Sequence, residues 1–112
     1  MFRKLFAAAL ITAACASHAD STCEGTIDYL AVGRGSVVLV KGPGGLPATY
    51  LCSLSTKQNN VDTEACKAIY GTLLAAHAQQ KSVRITFNPS ISSCADVASW
   101  SWATNFNWVI AD

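Results

Sequence analysis

The sequence predicts a small, mainly β domain with one helix, closed as a five-stranded Greek-key barrel. Three observations predict it. Five short runs have strand length and either alternate in polarity or carry β-branched residues. One run with helical spacing lies between the third and fourth of them. Four cysteines remain after an N-terminal export signal is set aside, an even count that suits two disulfides in a small exported domain.

The export signal comes first in the chain. Arg3 and Lys4 form a basic start, and Leu5 to Ala16 is an uncharged, mostly apolar run of twelve residues. That run is too short to cross about 30 Å of hydrocarbon, which takes about 20 residues. Ser17-His18-Ala19 then presents small residues at the two positions that a signal peptidase reads. Residues 1–19 are therefore expected to be a secretory signal peptide, cleaved after Ala19, that delivers a secreted or periplasmic protein. A rival processing event is lipidation at Cys15 after Thr12-Ala13-Ala14, although Thr12 stands where a lipobox has leucine. No other stretch is long and apolar enough to predict a membrane span.

Residues 20–112 are then one domain, near the small end of what folds alone. Six basic residues (Arg34, Lys41, Lys57, Lys67, Lys81, Arg84) face seven acidic ones (Asp20, Glu24, Asp28, Asp62, Glu64, Asp96, Asp112). That balance provides no basic footprint for nucleic acid and no polybasic face for anionic lipid.

The elements follow in order. "GTIDYLAVG" (25–33) alternates, with Ile27, Tyr29 and Ala31 expected on one face. "SVVLVKG" (36–42) is a β-branched run bounded by glycine, a buried strand. "GPGGLP" (42–47) reads as a turn, and it lacks the Lys-Ser or Lys-Thr of a phosphate loop. "ATYLCSL" (48–54) is a third strand, with Tyr50, Cys52 and Leu54 on one face. Asp62 caps a helix over 63–80, with Glu64 in its first turn. Cys66, Ile69, Tyr70, Leu73, Leu74 and His77 make its apolar stripe. Ala65, Ala68, Ala75 and Ala76 give a second, small-residue face. "SVRITFN" (82–88) is the clearest strand, with Val83, Ile85 and Phe87 inward and Pro89 ending it. "NFNWVIA" (105–111) closes the series, with Phe106, Trp108 and Ile110 expected inward.

Three strands, a helix and two strands is the element order of an OB-fold, and closure removes the exposed edges of so small a sheet. The alternative is an open α+β sheet with the helix on one face. Cysteine counting alone leaves three connectivities for Cys23, Cys52, Cys66 and Cys94. The element order selects Cys52–Cys66, across the short loop from the third strand to the helix. It also selects Cys23–Cys94, because the first and fourth strands of such a barrel lie antiparallel.

"GTIDYL", "ATYLCSL" and "LLAAHAQQKSVRITF" resemble the B subunits of AB-type bacterial toxins in the subtilase-cytotoxin and typhoid-toxin group. The likeness lies in an aromatic-x-Cys strand (Tyr50-Leu51-Cys52), a helix, a polar turn and a Val83-Arg84-Ile85 strand. It covers residues 25–88. It implies an OB-fold, a ring of five identical subunits, an enzymatic A subunit as partner, and binding of sialylated or related host glycans. The chain lacks the longer segment that those subunits carry after the V-R-I strand. Their sugar-contacting residues find no match here and are not carried over.

No catalytic constellation is legible. His77 lies on the helix stripe as a rim histidine, the carboxylates are scattered, and no metal-ligand spacing or nucleotide motif occurs, so a non-enzyme with no cofactor and no metal is expected. "SWSWATNFNWVI" (99–110) holds all three tryptophans. Trp100 and Trp102 share a parity, and Asn105 and Asn107 supply amides beside them, so these four are the expected glycan contacts. Packing in the core or at a subunit contact is the other role open to Trp100 and Trp102. The other function class is a small periplasmic protein that binds a protein partner or inhibits an enzyme, with no glycan ligand.

Overall fold

The computed structural model describes residues 21–112, so the expected signal peptide, its cleavage after Ala19 and Cys15 lie outside the described residues. The elements are β1 (Ser21–Gly25), β2 (Tyr29–Val32), β3 (Val37–Lys41), β4 (Thr49–Ser53), α1 (Thr63–Ala78), β5 (Val83–Phe87) and β6 (Phe106–Ala111). Short 3-10 turns lie at Pro43–Gly45 and Cys94–Asp96. The strands form two antiparallel three-stranded sheets, β1-β5-β6 and β2-β3-β4.

The architecture is mainly β with one helix and two disulfides, as expected, but it has six strands instead of five. The helix follows β4 instead of the third strand, because Ser21–Gly25 forms a strand ahead of those that the sequence predicts. Its partner is β5, in register from Ser21↔Phe87 to Gly25↔Val83. The chain then bends at Thr26–Asp28 and pairs with β3, from Tyr29↔Lys41 to Val32↔Val38. The bend is held by glycine. A Cβ on Gly42 would collide with the backbone of Asp28 and Thr26, and one on Gly44 would lie 2.9 Å from Cys23 Cα. Both glycines also adopt positive φ, at 130° and 66°, which side chains disfavour. The bend separates Ile27, buried in the core, from Tyr29 and Ala31, which are exposed.

The chain leading into β6 passes beside β4. Residues 100–103 run parallel to it, bridged at Tyr50↔Trp102. Tyr50 N–H donates to Ser101 O at 2.9 Å, Ala103 N–H to Tyr50 O at 2.9 Å, and Trp100 N–H to Ala48 O at 2.7 Å. The core between the sheets holds Val38, Val40, Leu51, Leu73, Val83, Ile85 and Phe87.

Helix α1 packs through Cys66, Leu73 and Ala76, with Ile69 and Tyr70 half-buried against the core. Two expectations are corrected here. Leu74 is exposed, and Ala76 faces the core instead of the small-residue face, because burial follows the 66-69-73-76 side of the helix. His77 is partly buried at the rim, and its Nδ1 is buried without a hydrogen-bond partner. The helix stops at Ala78, short of the expected 80, with Gln80 at φ 56°.

Both disulfides join the cysteines that the element order selects. Cys52–Cys66 ties β4 to the first turn of α1 with a Cα–Cα distance of 5.7 Å. Cys23–Cys94 ties β1 to the second 3-10 turn at 5.8 Å.

Two bulges overturn two expected faces. The β3–β4 register runs Val38↔Cys52 and then Leu39↔Tyr50, which leaves Leu51 as an extra residue. Leu51 and Cys52 both lie in the main core cluster, and Tyr50 is paired with Leu39, which is buried but not part of that cluster, so Tyr50 and Cys52 do not share a face. The β5–β6 register runs Ile85↔Val109 and then Phe87↔Phe106, two residues against three. An extra residue reverses the alternation. Phe106 and Val109 therefore pack against the core, and Trp108, expected inward, is 63% exposed.

Candidate ligand-binding surface

A cavity lies where the loop before α1, the flank of the helix and the chain entering β6 come together. It has a volume of about 720 Å³. Ala65 and Ile69 from one flank of α1, with Val61 and Phe106, form its apolar part. Its polar part is a set of amides: Asn59, Asn60, Asn88, Asn105 and Asn107, with Thr104 and Asp62. Local backbone geometry explains three of these residue types. Asn59, Asn60 and Asn105 adopt left-handed φ of 55°, 60° and 74°, which asparagine tolerates better than most residues.

The amides divide into two kinds. Asn59 is structural: its Nδ2 donates to Leu51 O at 2.9 Å and to Ala103 O at 3.1 Å, tying the loop to β4 and to the 100–103 segment. The side chains of Asn60, Asn88, Asn105 and Asn107 are exposed and engage no protein group among the described residues. Each amide offers two donors and a carbonyl acceptor. Together they supply hydrogen-bonding groups beside apolar side chains, the mixture that small polar ligands need.

A second, apolar groove of about 360 Å³ lies on the outer face of β2-β3-β4. Tyr29, Val32, Leu39, Tyr50 and Trp100 line it. Trp100 is 63% exposed and sits at φ 53°, anchored by its short bond to Ala48. Tyr50 stands between the two tryptophans, edge-on to both: its ring centroid is 6.4 Å from Trp100 and 5.5 Å from Trp102.

The four expected contacts are therefore distributed, not gathered. Asn105 and Asn107 share the amide cavity. Trp100 belongs to the apolar groove. Trp102 is half-buried and lines, with Asn105, a smaller cavity of about 150 Å³ that shares Thr104 and Asn105 with the large one. Sequence reasoning missed Asn60, Asn88, Tyr29 and Tyr50. The Asn59-Asn60 pair in a polar loop was the available signal for the first of these, since paired asparagines favour left-handed turns.

Charge near the cavity is sparse. Asp62 holds the N-cap position of α1 but makes no capping bond, and instead lies 3.8 Å from Lys57 Nζ. Away from the cavity, Asp112 accepts hydrogen bonds from Arg84 Nε at 3.2 Å and Nη2 at 2.6 Å, which raises the guanidinium pKa above its ordinary value. Among the described residues, no group of three or more His, Cys, Asp or Glu is placed to hold a metal ion, and no helix is long and apolar enough to cross a membrane. Comparison with family models, with curated proteins and with solved structures finds no match to the chain.

Proposed function

We propose that this protein is an exported glycan-binding module without catalytic activity, of the kind to which its resemblance to toxin B subunits points. The observation that carries the reading is the amide cavity: four exposed asparagine side chains without protein partners among the described residues, lining it with Val61, Ile69 and Phe106. Sugar hydroxyls need paired donors and acceptors, and sugar C–H faces need apolar contact. Export over residues 1–19 is part of the proposal, and the two disulfides fit an extracellular or periplasmic site.

The fold we propose is the five-stranded OB barrel. In it β1 and β2 are one strand bent at Thr26–Asp28, and residues 100–103 with β6 are the fifth. The helix then falls between the third and fourth strands. The parallel pairing of Tyr50 with Trp102 supports this grouping. A ring of five subunits and an enzymatic A subunit as partner belong to the same proposal.

A glycan array probed with the oxidised protein tests it. The expected result is binding to a defined oligosaccharide set that Asn105→Ala and Asn107→Ala weaken together. An empty array with folded protein contradicts it. The second reading, a protein-interaction or inhibitor protein, is favoured by the groove of Tyr29, Val32 and Trp100. It gains if the array is empty and the protein is monomeric.

A further inference from the structure

Charge at the amide cavity narrows the ligand class, and the inference rests on the glycan-binding reading of that same cavity. Of the described residues lining it, one is ionisable: Asp62, a carboxylate. Its neighbour Lys57 does not line the cavity and is spent on Asp62 itself, at 3.8 Å, with both side chains more than half exposed. Farther along the same helix turn, Glu64 is engaged by Lys67 at 3.1 Å. The helix N-terminus would ordinarily favour an anion. Here two carboxylates already stand at that end, Asp62 at the N-cap position and Glu64 in the first turn, and the cavity reaches from Asp62 along the flank at Ala65 and Ile69.

We propose that the cavity selects uncharged oligosaccharides and discriminates against sialylated ones. The four free amides hydrogen-bond neutral hydroxyl and N-acetyl groups without needing a counter-charge. A ligand carboxylate would find no unpaired cation among the described residues of the lining and would compete with Asp62 for Lys57.

The test titrates the oxidised protein with lacto-N-neotetraose and with the same tetrasaccharide carrying a terminal sialic acid, by calorimetry. The neutral sugar is expected to bind about tenfold more tightly, the size of one like-charge contact at a partly solvated surface. Asp62→Asn, which removes the carboxylate at an exposed site, is expected to narrow the ratio to within about threefold, and added salt to narrow it in the parent protein. Asn107→Ala is expected to weaken the neutral sugar. Equal or tighter binding of the sialylated sugar, or a ratio that Asp62→Asn leaves unchanged, overturns the inference. If the sialylated sugar wins and Asn107→Ala abolishes its binding, the glycan reading stands and the charge inference falls. If neither sugar binds and a broad array is also empty, both fall.

Discussion

Asn59 and Asn107 line the same cavity and carry the same chemistry, yet they should respond oppositely to truncation. Asn59 Nδ2 satisfies two carbonyls, those of Leu51 and Ala103, and its backbone sits at φ 55°. Asn59→Ala is expected to cost about 2 kcal/mol, from two acceptors left unpaired and an alanine forced into the left-handed region. Asn107→Ala, exposed and unbonded, is expected to stay within about 0.5 kcal/mol. Urea midpoints of the two variants check the pair. Equal losses would mean that the cavity amides are all structural. Trp108 offers a similar contrast. A core tryptophan costs about 3–5 kcal/mol when cut to alanine, but at 63% exposure Trp108→Ala is expected to cost less than about 1 kcal/mol.

At the scale of elements, strand β5, the start of α1 and both disulfides were legible in the sequence. Each rests on a signal of several residues: Val83, Ile85 and Phe87 in alternation, Asp62 before a helical stripe, and cysteines at element ends. Faces were less legible. One extra residue, Leu51 in β4 and another in β6, reverses a period of two, and nothing local marks it. Strand β1 was missed because "STCEG" has neither alternation nor β-branched weight beyond Thr22. Its strand state comes from pairing with β5 and from the Cys23–Cys94 bridge. The bridges should matter unequally. Replacing Cys52 and Cys66 by serine, which opens a loop of sequence separation 14, is expected to cost about 3 kcal/mol in the chain-entropy model. Replacing Cys23 and Cys94, at separation 71, is expected to cost about 4 kcal/mol. Denaturant unfolding of the two paired variants gives the order, and a reversed order would place the main constraint in the folded state.

At the scale of the molecule, the site was partly legible. Asn105 and Asn107 were accessible from sequence because they adjoin the tryptophans. Asn60 left only the trace of an asparagine pair in a polar loop and Asn88 none, since only the packing of the α1 entry loop against the chain entering β6 brings them to one cavity. The tryptophans misled for the same reason: neighbours in sequence, they diverge between groove, small cavity and solvent. The proposed assembly would use sheet edges. β2 and β6 are each paired on one side within their sheets, and such edges are covered in self-associated small domains. Native mass spectrometry of the oxidised protein is expected to give a ring of five, and a monomer at micromolar concentration would remove the toxin-like assembly. The central claim, that the amide cavity holds a sugar, is tested most directly by following asparagine side-chain amide resonances during titration with a glycan that the array identifies. The signals of Asn60, Asn88, Asn105 and Asn107 are expected to shift together, with Asn59 nearly still. Shifts confined to Tyr29, Tyr50 and Trp100, with those four amides unmoved, would contradict it.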